Sequence, residues 1–574
     1  MTLQIANCGW RIVRHAALRV CSRVLPMVML MAVATPVALA HPNRTPYRID
    51  PYSLDSGVHQ GAGRQTVDEL PSAADRGATP DRDREADSGQ SRVAFAQTIQ
   101  VPGAPWLRLH IADYDLGQAS FIVIRSVQTG AEQTMTATAL QIWSNHTPFF
   151  GGDALEFELH VAPGEQNIFA QISEVWVGLA VADDDSAAGP GGGDPPESLC
   201  GADDRVASSD PRVGRLFIGG RCTAWLASNG AFLTAGHCVD TDPDQSGPGL
   251  PDGVIDCSFL SGVVEFNVPP SLPNGVPQPA MPEDQYIITG DCPVLTEGFV
   301  AWQFAGSNGT FNSIGADWAV FHVGPNANLE TPQQRQNAFF RVTDVEPDVG
   351  DIIRVTGHGL DNTPAGSGDN RCLFGANHGQ SCVNDMQCPA GTCMPPAPCD
   401  SDNDGNGEFN CNAQHLTQQT ATGPYNEYVD DGANDVSHEY EVDTTGGTSG
   451  GPVILESLDA AIGINTNSGC GDGFEQDENY GTAFEQDTLA QFLNDYIYGP
   501  GVRYRDSTNF GSESGNIFDP HRTVTAAVAV VADGADIVII PGNYTAASGN
   551  TFTAGADGRA MTLIAPFGGV AIGN

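Results

Sequence analysis

Apolar and polar residues alternate in two stretches of the first third of the chain, Trp106-Leu107-Arg108-Leu109-His110-Ile111 and Leu155-Glu156-Phe157-Glu158-Leu159. A period of two marks a strand with one buried face. Residues 121–124 form a short apolar run, and turn formers such as Val161-Ala162-Pro163-Gly164-Glu165 separate these segments. The spacing predicts a β-sandwich-like domain over residues 91–182. Its His110, His146 and His160 lack metal-ligand spacing and read as surface or edge histidines. Strand-like runs recur at 213–218, 224–228, 231–234, 316–321 and 351–359. A helical period appears late, where Leu489, Phe492, Leu493 and Tyr496 share one face of 487–497, with Asp487 placed to cap. The last segment, 518–574, predicts a short helix at 523–528 and strands at 537–540, 561–565 and 569–573.

Between the patterned stretches lie segments with little periodicity. Residues 1–40 read as a secretory signal: Arg11, Arg14, Arg19 and Arg23 precede the apolar run 25–33, and Ala38-Leu39-Ala40 is a small-x-small cleavage site. Residues 41–90, rich in Pro, Asp, Arg, Ser and Gly, predict a disordered pro-segment, and 183–199 an acidic Gly/Pro linker. A catalytic-domain candidate spans 200–498, followed by a linker at 499–517. Within it, residues 371–411 hold Cys372, Cys382, Cys388, Cys393, Cys399 and Cys411 with almost no apolar content, which predicts an insertion stapled by its own disulfides. Inside that insertion Asp400, Asp402 and Asp404 alternate along a loop. They are candidates for a structural calcium ion, against a solvated acidic turn; Cys411 at the twelfth position rules out an EF-hand.

The chemistry gathers around Asp443-Thr444-Thr445-Gly446-Gly447-Thr448-Ser449-Gly450-Gly451-Pro452. Glycines on both sides of a serine permit positive φ and close approach, which suits an exposed nucleophile with backbone N–H groups turned toward one point. Gly447-x-Ser449-x-Gly451 also fits the elbow of α/β-hydrolases, in which the acid and histidine follow the serine. The only histidine after Ser449 is His521, in what reads as another domain. Upstream, Leu233-Thr234-Ala235-Gly236-His237-Cys238 places a histidine at a strand end, and Asp317-Trp318-Ala319-Val320 places a carboxylate at the head of an apolar run. His358, before a glycine-rich turn, is a weaker rival for the base.

Thr-Ala-Gly-His-Cys, Asp-Trp-Ala-Val and Gly-x-Ser-Gly-Gly-Pro-Val, in that order, resemble the trypsin/chymotrypsin-fold serine peptidases. The text from Tyr440 to Gly450, together with Ala461-Ile462-Gly463-Ile464 and Tyr480-Gly481-Thr482-Ala483, is closest to the bacterial glutamyl endopeptidase branch. The resemblance covers about residues 200–498 and implies an all-β fold of two six-stranded antiparallel barrels. It implies Ser449 as nucleophile, His237 as base, Asp317 as its partner, an oxyanion hole at Gly447 and Ser449, and a disulfide between Cys222 and Cys238. Asp443 stands where trypsins hold the carboxylate that selects Arg or Lys, while the glutamyl branch uses the positions of Thr444 and Asn465, the latter a histidine there; Thr466 adjoins it. Thr448 replaces the aspartate that receives a new N-terminus in trypsin-type zymogens, so activation cannot use that ion pair. The tail resembles the opening of a pectin lyase-like right-handed β-helix, with room for only one or two coils.

Composition narrows the partners. The chain carries 25 basic residues, all arginine, against 70 acidic ones. A net charge of −45 argues against nucleic acid and anionic membranes as partners. No segment beyond the signal approaches a spanning length. The expected protein is a secreted serine endopeptidase acting on protein or peptide substrates without a catalytic cofactor. The rival is a secreted adhesive protein that keeps the peptidase fold as a scaffold. Oligomeric state has no signature in the sequence.

Overall fold

The structure, a computed structural model, describes residues 47–61, 90–179, 197–200, 203–217, 222–238, 262–271, 277–288, 299–303, 314–360, 371–373, 392–394, 415–430, 436–470, 478–496, 498–509, 511–544, 560–568 and 570–572. The signal segment, the acidic linker up to Pro196 and most of the cysteine-rich insertion therefore lie outside the described residues. No described helix is long and apolar enough to cross a membrane.

Residues 47–61 and 90–179 form two antiparallel sheets with one core between them. One sheet runs Tyr47–Asp55, Gln166–Gly178, Trp106–Asp115, Phe150–Gly151, with His59–Gln60 beside Gln166–Gly178. The other runs Arg92–Gln100, Ala154–Val161, Phe121–Ser126, Glu132–Met135. In Ala154–Val161 the predicted alternation holds: Leu155, Phe157 and Leu159 are buried, and Glu156, Glu158 and His160 face outward. Residues 47–55, expected to be disordered, instead make a strand antiparallel to Gln166–Gly178, with Tyr47 stacked 5.1 Å from Trp176. Backbone pairing and the aromatic contacts of Tyr47 with Trp106 and Trp176 order this polar segment without a strong apolar pattern.

The domain beginning near Cys200 is all-β and chymotrypsin-like, with two antiparallel sheets side by side. The first has seven strands in the order Gln285–Ile287, Val263–Glu265, Val213–Phe217, Cys222–Leu226, Phe232–Thr234, Trp318–Phe321, Phe299–Gln303. It curls toward a barrel, and an isolated bridge joins Ile288, just after its first strand, to Val323, just after its sixth. The second is a closed ring of six: Gln419–Asp430, Ile352–Gly357, Pro452–Leu455, Ala460–Asn467, Asn479–Ala483 and Val436–Tyr440, which pairs back onto Gln419–Asp430. Of the insertion, Arg371–Leu373 and Thr392–Met394 are antiparallel, and Cys372 stands opposite Cys393. The helix is Asp487–Asp495, and its cap is the Gln486 side chain, which accepts from Leu489 N at 2.5 Å. Asp487, expected as the cap, is the first helical residue instead.

Residues 499–517 are not a free linker. Arg503–Arg505 pairs parallel to Asp536–Ile539, which pairs parallel to Thr562–Ile564. Val502, Tyr504, Ile517 and Phe518 share a buried cluster with Trp225, Leu489 and Leu493 of the two-sheet domain. The tail is thus packed onto that domain. Its strands are parallel, but these few rungs do not establish a β-helix, and the pectin lyase likeness goes no further.

Candidate active site

The register of two neighbouring strands brings a histidine and an aspartate together. Thr234 pairs with Ala319 and Leu233 with Val320, so the turn after Phe232–Thr234 meets the start of Trp318–Phe321. That turn is a single 3-10 helix, Gly236–Cys238, and it carries His237. Asp317 is fully buried. Its Oδ1 accepts the His237 backbone N–H at 2.9 Å, and its Oδ2 lies 2.5 Å from His237 Nδ1. One carboxylate thus holds both the backbone and the ring. Thr482 of the second barrel donates its hydroxyl to the Asp317 carbonyl at 2.9 Å, which ties this pair to the neighbouring barrel.

The serine loop is stitched to the same place. Thr223 N–H donates to Ser449 O at 2.8 Å, and Thr223 Oγ1 donates to Gly447 O at 2.9 Å. The adjacent Cys222 forms the expected disulfide with Cys238, with 6.1 Å between Cα atoms. Gly447 and Gly450 have φ of 98° and 86°. A Cβ at Gly450 would collide with Thr223 O and Thr234 Oγ1, so close approach and positive φ both demand glycine there. Around a mostly buried loop, Ser449 is half-buried and accessible. The N–H groups of Thr448, Gly450 and Gly451 donate to Thr445 O, Asn465 O and Thr448 O. Those of Gly447 and Ser449 have no partner among the described residues.

His358, the rival base, is 1 % exposed, and burial beside Arg215 holds its imidazole well below the ordinary range. Its backbone N–H donates to Thr223 Oγ1 at 2.8 Å. It buttresses the loop from inside and faces no opening where a substrate could meet it. Cys222, His237 and Cys238 approach one another closely enough to suggest a metal, but the two cysteines are spent in their disulfide. Asp400, Asp402 and Asp404 lie outside the described residues.

Asp443 sits in a setting that sequence did not reveal. Its Oδ1 accepts the Cys200 backbone N–H at 2.7 Å and its Oδ2 the Asp204 N–H at 2.8 Å. Beside it, Glu197–Ser198 pairs antiparallel with Thr444–Thr445, and Cys200 is disulfide-bonded to Cys470. Burial and the nearby Asp443 carboxylate raise the Asp204 carboxyl above its usual range. Arg205 adds hydrogen bonds of 2.7 Å to Thr445 Oγ1 and Leu360 O. Residues 197–200 and 203–205 therefore pack along the stretch from Asp443 to Thr445. Asn465 and Thr466 are both buried. The buried Tyr440 hydroxyl donates to Asn465 Oδ1 at 2.8 Å, and Thr466 Oγ1 reaches Tyr480 O at 3.4 Å. Asn479 completes the frame: its Nδ2 donates to Val442 O at 2.7 Å and its Oδ1 accepts from Gly469 N–H at 3.0 Å.

No protein-family model matches the sequence, and no curated protein does. Among solved structures the chain is similar to a Glu endopeptidase in complex with MPD, at 16 % identity and TM-score 0.30, over 52 % of this chain and 97 % of that one. It is similar to the protease Anisep from Arthrobacter nicotinovorans at 15 % identity and TM-score 0.26, over 49 % and 93 %. Human heparin binding protein is matched at 11 % identity and TM-score 0.27, over 51 % and 97 %. At such values the likeness has no functional weight, and the fold stands on the strand pairing described above.

Proposed function

We propose that this chain is a secreted serine endopeptidase using Ser449, His237 and Asp317. The observation that carries the reading is the Asp317 carboxylate held by the His237 backbone N–H and ring Nδ1 at 2.9 and 2.5 Å. A buried carboxylate on Nδ1 selects the tautomer whose Nε2 can accept a proton, and stabilises the imidazolium that then forms. Ser449 Oγ attacks the scissile carbonyl, its proton passes to His237 Nε2, and the amine leaves with that proton. Water then releases the acyl group by the same route in reverse. In this reading the N–H groups of Gly447 and Ser449 hold the oxyanion, a contribution of about 3–4 kcal/mol per donor in related sites; their lack of a partner among the described residues supports it. A fluorophosphonate probe is expected to label Ser449 in the processed protein, and Ser449→Ala or His237→Ala to abolish labelling. A processed, folded protein that does not label would leave the scaffold reading standing.

Selectivity for Arg or Lys is not expected. Both oxygens of Asp443 are engaged by backbone N–H groups of the segment 197–205. With Asn465 Oδ1 taken by Tyr440, the Asn465 amide has only N–H donors left to offer. Donors suit an uncharged amide or a carboxylate on the substrate and repel a cation. A peptide-library digest is expected to show Arg and Lys sites cut at least about 100-fold less efficiently than the best polar site, the scale of discrimination that unpaired polar groups impose. Dominant cleavage after Arg or Lys would reverse the assignment of Asp443.

A further inference from the structure

The sequence predicts a β-sandwich-like pro-domain or accessory domain over residues 91–182, joined to the peptidase-like part by an acidic linker. The packing favours an accessory domain. Trp106–Asp115 should bury one face only, yet Trp106, Leu107, Arg108 and Leu109 are all buried. Leu107 and Leu109 point into the sandwich, so Trp106 and Arg108 need other cover. Trp106 is covered by Phe217 of the first barrel, while Arg108 is covered within the sandwich by Phe149 and Trp176, its Nε donating to Thr147 O at 2.7 Å. Trp106 meets Phe217 edge to face at 5.5 Å, and Phe149 meets Phe217 at 5.0 Å. The Arg108 guanidinium stacks 4.4 Å over Phe149. Phe217, Val263, Ile287 and Ala327 belong to the same apolar cluster as the sandwich core.

Polar contacts fix the seam in one register. Gln285, fully buried, accepts the Phe149 N–H at 2.9 Å and donates to Phe149 O at 2.8 Å. Its Nε2 also donates to Ala280 O at 2.7 Å. Gln133 Nε2 donates to Asn328 Oδ1 at 2.9 Å. Separating the two parts would leave the Phe149 amide without these bonds and expose Trp106, Phe149 and Phe217 to water. Such buried polar and aromatic contacts are the central anchors of stable interfaces. The strands involved, Val213–Phe217, Val263–Glu265 and Gln285–Ile287, form the side of the first sheet away from Phe232–Thr234 and His237.

We propose that residues 47–61 and 90–179 are a permanent part of the folded protein, docked on the outer face of the first barrel through Phe149, Gln285, Trp106 and Phe217 strongly enough to stay bound without the linker. No cysteine lies between residues 22 and 199, so no disulfide from that stretch ties the two parts together. The proposal is independent of whether Ser449 is catalytic.

The test places a recognition sequence for a specific protease within residues 186–194 of the full chain, cuts it to completion, and measures mass by light scattering after gel filtration at low micromolar concentration. The two pieces are expected to co-elute at the mass of the uncut chain. Gln285→Met, which keeps side-chain volume and removes the amide bonds, is expected to let the cut pieces separate at least tenfold more readily. Phe149→Ala should do the same, with the uncut variants matching the parent in circular dichroism. Separation of the unaltered pieces at that concentration would overturn the proposal. Co-elution that neither variant weakens would overturn the assignment of the seam. Should Phe149→Ala fail to fold, the isosteric Gln285→Met decides alone.

Discussion

Replacing Asp317 with asparagine is expected to lower kcat by about 10⁴-fold while leaving the fold in place. The carboxylate accepts from two donors of one residue, the His237 backbone N–H on Oδ1 and the ring on Oδ2. An asparagine can keep only one of these as an acceptor. If its oxygen stays with the backbone N–H, its NH2 faces Nδ1 and demands the opposite ring tautomer. Nε2 then carries the proton, and the base is lost. Turning the amide to serve the ring breaks the bond that seats the Gly236–Cys238 turn. Asp317 is wholly buried, so no water replaces the lost partner. The loss should fall in kcat with KM little changed, since no described substrate-facing group moves. It should also diminish as pH rises, because hydroxide can then assist deprotonation. Steady-state kinetics from pH 6 to 10, beside circular dichroism, checks this. A variant within tenfold of the parent at neutral pH would remove Asp317 from the mechanism.

The three residues at this site were legible in the sequence because each sits in a short local signature that its own neighbours create. His237 lies in a turn closed by a cysteine sixteen residues from its partner, and Ser449 lies among glycines whose positive φ is a local demand. The frame around them was not legible. Cys200 and Cys470 are 270 residues apart, and no spacing rule chooses between them and Cys257 or Cys292. Asp443 looked like a selectivity carboxylate because its place in the motif is local, while the backbone N–H groups that occupy it come from residues 200 and 204. Backbone donors have no sequence identity to read. Arg108 misled in the same way: a polar position in an alternating strand reads as solvent-facing, and contacts with Phe149, Trp176 and the Thr147 carbonyl, distant along the chain, make it an interior residue. The strand Tyr47–Asp55 pairs through its backbone and leaves Ile49 exposed, so its apolar pattern is weak. What tertiary contact decides, periodicity along one segment cannot supply.

Glu265→Ala is expected to cost about 3–5 kcal/mol of stability, the scale of breaking a buried ion pair from one side. Glu265 is fully buried, and its Oε2 accepts Arg215 Nε and Nη2 at 3.0 and 2.7 Å. Its Oε1 accepts the Ala280 N–H at 3.1 Å. Burial raises the Glu265 carboxyl and Arg215 opposes that rise, so desolvation is the larger influence even with the partner in place. The pair is thus not a source of great net stability, yet either half alone would be a stranded charge. Arg215 Nη1 also donates to Leu416 O at 3.0 Å, beside the long strand of the second barrel, and Nη2 to Gln278 O at 2.7 Å. Losing Glu265 frees the guanidinium to shift, and the register between the first barrel, which holds His237, and the second, which holds Ser449, should loosen with it. Chemical denaturation followed by tryptophan fluorescence is expected to move to lower denaturant, with activity falling before global unfolding. The double change Arg215→Met with Glu265→Leu should recover much of the lost stability by removing both charges together. A single variant that costs less than about 1 kcal/mol, in the range of an exposed pair, would mean that water already reaches this site.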